Sequence, residues 1–310
     1  MQIGANGLRL EVEDHGSPGG EPLLLVMGLG MQLLGWPDGF VAMLVAHGFR
    51  VIRFDNRDAG LSQGFDAAGV PNLALDSLRY TFGVRVKSAY TLADMAADSI
   101  GVLQALGIER AHVCGASMGG MIAQHVAAIA PERVASLTLM MTSSGARRLP
   151  GPSLRVRTAL ISRPDDAGSL ASIVEHYVRL YALIGSPAFP AVPAELRERF
   201  TRSIRRAYRP AGTARQMVAI AADGDRSPML AAIRAPTHVI HGAADALVPV
   251  AAGRDLQAKI AGAELDVIDG MGHDLPEALW PRFVADIERV AWRAGASLAG
   301  GARTASTPPV

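Results

Sequence analysis

The sequence predicts an α/β fold in which a mostly parallel central sheet is flanked by helices and interrupted once by a helical insertion. Short apolar runs of strand length alternate with helical patterns along most of the chain, the pattern of βαβ units. Between about residues 145 and 230 the strand-like runs vanish and amphipathic helical stretches replace them. With 310 residues, 49% of them apolar, the chain can bury one large core.

A first hairpin is expected from about residue 3 to residue 14. The strands of the parallel part are PLLLVM (22–27), RVIRFD (50–55), AHVCGA (111–116), VASLTLMM (134–141), PTHVIHG (236–242) and AELDVID (263–269). TLADMAADSIGVLQALG (91–107) is the clearest helix: Thr91 is a candidate N-cap, Asp94 stands three residues on, apolar positions recur at helical spacing and Gly107 ends it. GMIAQHVAAIA follows the third of these strands as a helix that Pro131 stops. In the insertion, SIVEHYVRLYALIG and AELRERFTRSIRRAYR are helical. PEALWPRFVADIERVAWR (276–293) closes the chain as a helix. These readings divide the sequence into a first core part (1–144), a helical cap (145–230), a second core part (231–294) and a disordered tail (295–310), whose GASLAGGARTASTPPV is small and polar.

Thirty basic and 29 acidic side chains leave no global field for nucleic acid or a membrane. The balance hides an asymmetry: residues 146–215 hold 13 Arg against five Asp and Glu. That basic face is most simply a solvated helix surface. Cys114 is the single cysteine and lies in an apolar strand, so no intrachain disulfide forms and the thiol is expected to be inert. The N-terminus lacks the basic start and apolar stretch of a secretory signal, and LLLVMGLGMQLLG is too short and glycine-broken to span a bilayer. The expectation is a soluble cytoplasmic protein, monomer or homodimer, with neither nucleic acid nor membrane as partner.

Two G-x-S-x-G pentapeptides occur, GLSQG (60–64) and GASMG (115–119). A nucleophile elbow needs a strand leading in, a helix leading out and small residues in a crowded turn. GLSQG follows DNRDA and runs into FDAAGVPN, so Ser62 fails that test. GASMG follows RAHVC and precedes a helix, so Ser117 passes. A serine hydroxyl needs a base, and the base an acid that fixes its tautomer. Parallel-sheet hydrolases carry these in the chain order Ser, acid, His. HGAADALVP places Asp245 just past a strand, and DGMGHDLPE places His273 past the last one, both where loops at the carboxyl edge of the sheet meet Ser117. Asp269 and Asp274 are rival acids, but neither sits on a separate loop preceding the base. His238 and His241 lie three apart on one strand, face opposite sides and make a poor metal pair. His241, His112 and His125 read as packing residues, and His15, His47 and His176 as solvated.

GASMGG, HGAAD and GMGHDLP, with LLLVMGLGMQLLGWP and RVIRFDNRDAGLS, resemble the α/β-hydrolase superfamily, particularly the serine-esterase branch that includes aclacinomycin methylesterase. The likeness spans about residues 8–142 and 233–293. It implies an α/β-hydrolase fold and hydrolysis of a small-molecule ester by Ser117, His273 and Asp245, with no metal or organic cofactor. It further implies an oxyanion hole from the backbone N–H groups of Met118 and Leu29, although this chain has Met27-Gly28 where many relatives have His-Gly. FDNRDAGLS is similar to the family's turn after its fourth strand, which makes Asp55 and Arg57 structural and GLSQG coincidental. The insertion would cover the site, with Tyr177, Tyr181, Phe189 and Met217 as candidate pocket walls. The same three residues could also cleave C–C bonds or perhydrolyse acids, and the fold can serve as a small-molecule receptor. Haloalkane dehalogenases and epoxide hydrolases are disfavoured because their nucleophile is Asp.

Overall fold

Leu23, Leu24, Leu25 and Val26 are apolar without alternation, as a strand buried on both faces requires. They form the middle of β3 (Glu21–Val26) in a computed structural model that describes residues 1–295. The tail assigned to 295–310 lies, beyond Gly295, outside the described residues. The elements before β3 are β1 (Gln2–Ala5) and β2 (Leu8–His15), the expected hairpin. After it come α1 (Asp38–Ala46), β4 (Phe49–Phe54), α2 (Leu73–Thr81), α3 (Leu92–Ala105), β5 (Ala111–Ala116), α4 (Met118–Ile129) and β6 (Val134–Met140). Five helices follow: α5 (Leu154–Leu160), α6 (Leu170–Ile184), α7 (Pro193–Arg206), α8 (Pro210–Asp223) and α9 (Ser227–Leu230). Then come β7 (Thr237–Gly242), α10 (Ala251–Lys259), β8 (Glu264–Ile268) and α11 (Trp280–Arg293), the last of these elements among the described residues.

One eight-stranded sheet runs in the order β1-β2-β4-β3-β5-β6-β7-β8, antiparallel at β1, β2 and β4 and parallel from β4 onward. The chain passes from β3 to β4 on one side and returns to β5 on the other. The carboxyl ends of β3 and β5 therefore flank the switch point where doubly wound sheets hold ligands. Leu24, Val26 and Val113 join an apolar cluster with α3 and α4 on one face; Leu23, Leu25 and Cys114 join Phe40 of α1 and Phe283 of α11 on the other. Each buried Leu or Val stabilises the fold by about 1.5–3 kcal/mol, so the run at β3 anchors both layers at once. Burial also pushes the Cys114 thiol pKa up, which keeps it protonated and inert.

The α3 cap forms as its sequence predicts: Thr91 Oγ1 accepts from Asp94 N at 3.1 Å, and Thr91 N donates to the Asp94 carboxylate at 2.7 Å. Outside the segment between β6 and β7, three helices go beyond the sequence reading: α1, α2 and α10 are nine residues each and too short to display a convincing period.

The arginines of the segment between β6 and β7 are not all solvated, contrary to the expectation. Arg215 is buried and makes a two-pronged pair with Asp58, both contacts at 2.7 Å, and Arg206 reaches the buried Asp55 carboxylate at 2.7 Å. The Gln32 side chain donates to the carbonyls of Ser203 and Ala207 at 2.7 and 2.8 Å. Acids in the DNRDA turn thus neutralise cations from helices about 150 positions later, and a local count of charge cannot register such pairs. Other members, such as Arg179 paired with Asp165, do stay exposed.

Candidate active site

Ser117 stands between β5 and α4 at φ +56° and ψ −120°, a backbone conformation that costs a non-glycine residue energy and recurs at functional turns. Its neighbours make the turn sterically feasible. A Cβ on Gly119 would lie 2.0 Å from Val26 O, and one on Gly115 would lie 2.3 Å from Gly119 O. Ser117 N donates to Met140 O at 2.9 Å, and Thr142 Oγ1 donates to Ser117 O at 2.7 Å, so both sides of the residue are pinned.

His273 follows β8 on the loop leading to α11, and its backbone N–H donates to Ile184 O of α6 at 2.7 Å. Its Nε2 lies 3.0 Å from Ser117 Oγ and its Nδ1 2.8 Å from Asp245 Oδ2. Asp245 Oδ1 accepts from the backbone N–H groups of Leu247 and Val248 at 2.9 and 2.7 Å. That leaves Oδ2 to face the imidazole. The carboxylate can only accept, so Nδ1 carries the proton and Nε2 is free to take one from Ser117. Ser117, Asp245 and His273, singled out from three separate stretches, are brought together in a geometry suited to nucleophilic attack with general-base assistance.

The rivals go elsewhere. Asp269 is exposed. Asp274 is buried and accepts from Ser186 N at 3.2 Å and from the Ser186 hydroxyl; burial pushes its carboxyl pKa up against these bonds. Ser186 Oγ also accepts from Gly272 N at 2.8 Å, so the loop carrying His273 is fastened to the end of α6 on both sides of the imidazole. His241 Nε2 donates to Val248 O at 2.7 Å behind Asp245, while His238 faces Asp286 and Arg289 of α11. Among the described residues no group of three or more His, Cys, Asp and Glu side chains is placed to hold a metal, and no helix is long and apolar enough to cross a membrane.

Ser62 lies completely buried, donating to Asp55 O at 2.5 Å and accepting from Glu11 N at 2.9 Å. It ties the turn after β4 to β2. Ser62→Ala is therefore expected to lower unfolding free energy by about 1–3 kcal/mol, because a buried N–H and C=O lose their partner, while kcat/KM stays near that of the parent. Urea denaturation alongside an esterase assay checks both.

The loop of residues 27–31 runs beside the elbow: a Cβ on Gly28 would stand 3.2 Å from Ser117 Cβ. Among the described residues, neither Leu29 N nor Met118 N has a hydrogen-bond partner within the chain, and they lie on the two backbone segments that flank Ser117. Of the four proposed pocket walls, Tyr177 and Tyr181 pack on Phe200, with ring centroids 5.5 and 5.7 Å away, in an apolar cluster between α6 and α7. Tyr177 also lines a cavity of about 40 Å³ with Gly30, Met31, Asp58, Phe200 and Tyr208. Tyr181, Phe189 and Met217 do not line that cavity. Phe189 packs instead against the cluster on the α1 and α11 face, and Met217 is half-buried on α8.

Several residues of the site's surroundings escaped the sequence reading, among them Thr142, Ser186, Asn56 and Gln216. Each acts through a bond to backbone or to a partner distant in sequence. The available signal was slight: Gln216 stands between Arg215 and the apolar run MVAIAA (217–222).

The profile of the alpha/beta hydrolase fold matches residues 21–277. The chain is 30% identical over 296 residues to a Rhodomycin D methylesterase of Streptomyces sp. (strain C5), covering 89% of this chain and 92% of that protein. Among solved structures, an esterase from Thermogutta terrifontis superposes with a TM-score of 0.68 at 25% identity, covering 94% of this chain and 98% of the other. A meta-cleavage product hydrolase from Pseudomonas fluorescens IP01 superposes at 0.73 and 21% identity, covering 95% and 98%. With its switch-point elbow, its sheet order and this match over most of its length, the chain belongs to the α/β-hydrolase fold family and is a hydrolase.

Proposed function

We propose that the protein is a serine carboxylic-ester hydrolase working through an acyl-enzyme. The observation that carries this reading is the continuous relay from Ser117 Oγ through His273 to Asp245, at 3.0 and 2.8 Å. Ser117 Oγ attacks the ester carbonyl carbon as its proton passes to His273 Nε2, and Asp245 stabilises the imidazolium so formed. The carbonyl oxygen becomes an oxyanion that accepts from Leu29 and Met118 N–H, donors fixed before the charge develops. The C–O bond to the alcohol breaks as Nε2 returns the proton to the leaving oxygen. Water then repeats the sequence on the acyl-enzyme and releases the acid. No metal or organic cofactor enters these steps. The name of the relative from Streptomyces supports a methyl ester as substrate.

The segment from α5 to α9 serves as a cap over the carboxyl edge of the sheet, and Tyr177 at the cavity beside Gly30 is its best-placed wall. Tyr177→Ala is expected to shift relative kcat/KM across p-nitrophenyl esters of increasing acyl length by about tenfold, in the range one or two methylenes decide in an apolar pocket. Unchanged ranking across the series would remove Tyr177 from the specificity pocket. Release of methanol from aryl methyl carboxylates, lost in a Ser117→Ala variant, tests the reading as a whole.

A further inference from the structure

The oxyanion donor Leu29 lies in a turn that the chain does not hold by itself. Met31 N donates to Gly28 O at 3.2 Å and closes four residues with Leu29 and Gly30 at the centre; Gly30 has φ +66°, as the third position of such a turn often requires. The middle peptide of a turn of this kind, here the Leu29 carbonyl with the Gly30 N–H, can rotate while its flanks stay nearly in place. Such rotation changes Leu29 ψ and Gly30 φ together, whereas the Leu29 N–H belongs to the preceding Gly28–Leu29 peptide and moves relative to Ser117 when the turn shifts as a whole.

One side chain fastens the turn against such a shift. Gln216 of α8 is completely buried; its Oε1 accepts from Gly30 N at 2.8 Å and its Nε2 donates to Arg57 O at 2.7 Å. The two ends of a carboxamide differ, so this pair of partners fixes its orientation. Thr213, three residues earlier on the same face of α8, fills the space over Gly30, where a Cβ would meet its methyl and hydroxyl at 2.7 Å. On the other side Asn56 Nδ2 donates to Met27 O at 2.9 Å. Residues 56 and 57 thus hold the loop at both ends, at residue 27 directly and at residue 30 through Gln216.

We propose that Gln216 is a positioning residue for the oxyanion hole, fastening the turn of residues 28–31 through Gly30 N so that the Leu29 N–H on the adjoining peptide stays facing the carbonyl attacked by Ser117. This rests on the serine-hydrolase reading above. It makes the segment between β6 and β7 part of the chemical step as well as of substrate selection.

The test uses the full chain with p-nitrophenyl butyrate and a trifluoromethyl ketone, which forms a tetrahedral adduct with an active serine. Gln216→Met keeps the volume and removes both hydrogen bonds. It is expected to lower kcat by about 10- to 100-fold, as misplacement by an ångström does, with KM within about twofold, and to weaken ketone inhibition by a similar factor. Gln216→Glu supplies a signature that a packing role would not give. When protonated, the new carboxylic acid can accept from Gly30 N–H and donate to Arg57 O as the amide does; when ionised it cannot donate. Burial raises its pKa, so its kcat relative to the parent should rise as pH falls from 8 to 6, and this variant serves if Gln216→Met does not fold. A folded Gln216→Met with parental kcat and ketone affinity, or a Gln216→Glu deficit equal at every pH, overturns the proposal. A Ser117→Ala variant with undiminished turnover overturns the serine reading, and the proposal with it, by a separate measurement.

Discussion

Ser117→Ala is expected to lower kcat for ester hydrolysis by about a million-fold, the scale found when the serine of such a relay is removed, and to abolish labelling by a fluorophosphonate. Alanine keeps the backbone bonds from Ser117 N to Met140 O and from Thr142 to Ser117 O. What disappears is the oxygen 3.0 Å from His273 Nε2. Thermal unfolding should therefore change little, by about 1 kcal/mol or less for one partly exposed hydrogen bond. Labelling that survives in Ser117→Ala and vanishes in Ser62→Ala would exchange the roles of the two pentapeptides.

Asp245→Asn should reduce kcat by about 10⁴-fold with KM nearly unchanged. The magnitude follows from how Asp245 is held. Its Oδ1 accepts two backbone N–H groups, from Leu247 and Val248, so an asparagine must leave its oxygen there and turn its NH₂ toward His273 Nδ1. The imidazole must then present a lone pair at Nδ1 and carry its proton on Nε2, where it can no longer accept from Ser117. The exposed Asp269 provides the control, since Asp269→Asn should leave kcat at the parental value. Equal losses in the two variants would show that charge near the site, and not the tautomer, controls turnover.

The strands were legible because a parallel sheet covered on both faces demands uninterrupted apolar runs, and 22–27, 111–116 and 236–242 coincide with β3, β5 and β7 to within a residue. Ser117 was legible because an elbow imposes a local context of strand, small residues and helix that GLSQG lacks. The site's supports were not. Ser186 and Asp274 stand 88 positions apart and Gln216 and Gly30 stand 186 apart; nothing in the neighbourhood of either glutamine or serine announces the partner. The same limit explains the arginines: Arg206 and Arg215 read as surface charge because Asp55 and Asp58, which neutralise them, belong to a turn that folds against them from far upstream.

The fastening of the segment between β6 and β7 has a consequence for motion. Arg206 with Asp55, the buried Arg215 with Asp58, Gln32 with the end of α7, and Ile184 O with His273 N all join this segment to loops of the sheet's carboxyl edge. Swinging the whole segment away would strand buried charges, and removing one partner of such a pair costs about 3–5 kcal/mol. Opening as a rigid door is thereby suppressed, and the segment and the site loops should open as a single cooperative unit. In native-state hydrogen exchange, amides of α7 and α8 should share one opening free energy with those of residues 30–33 and 272–274, while the exposed α5 exchanges earlier and on its own.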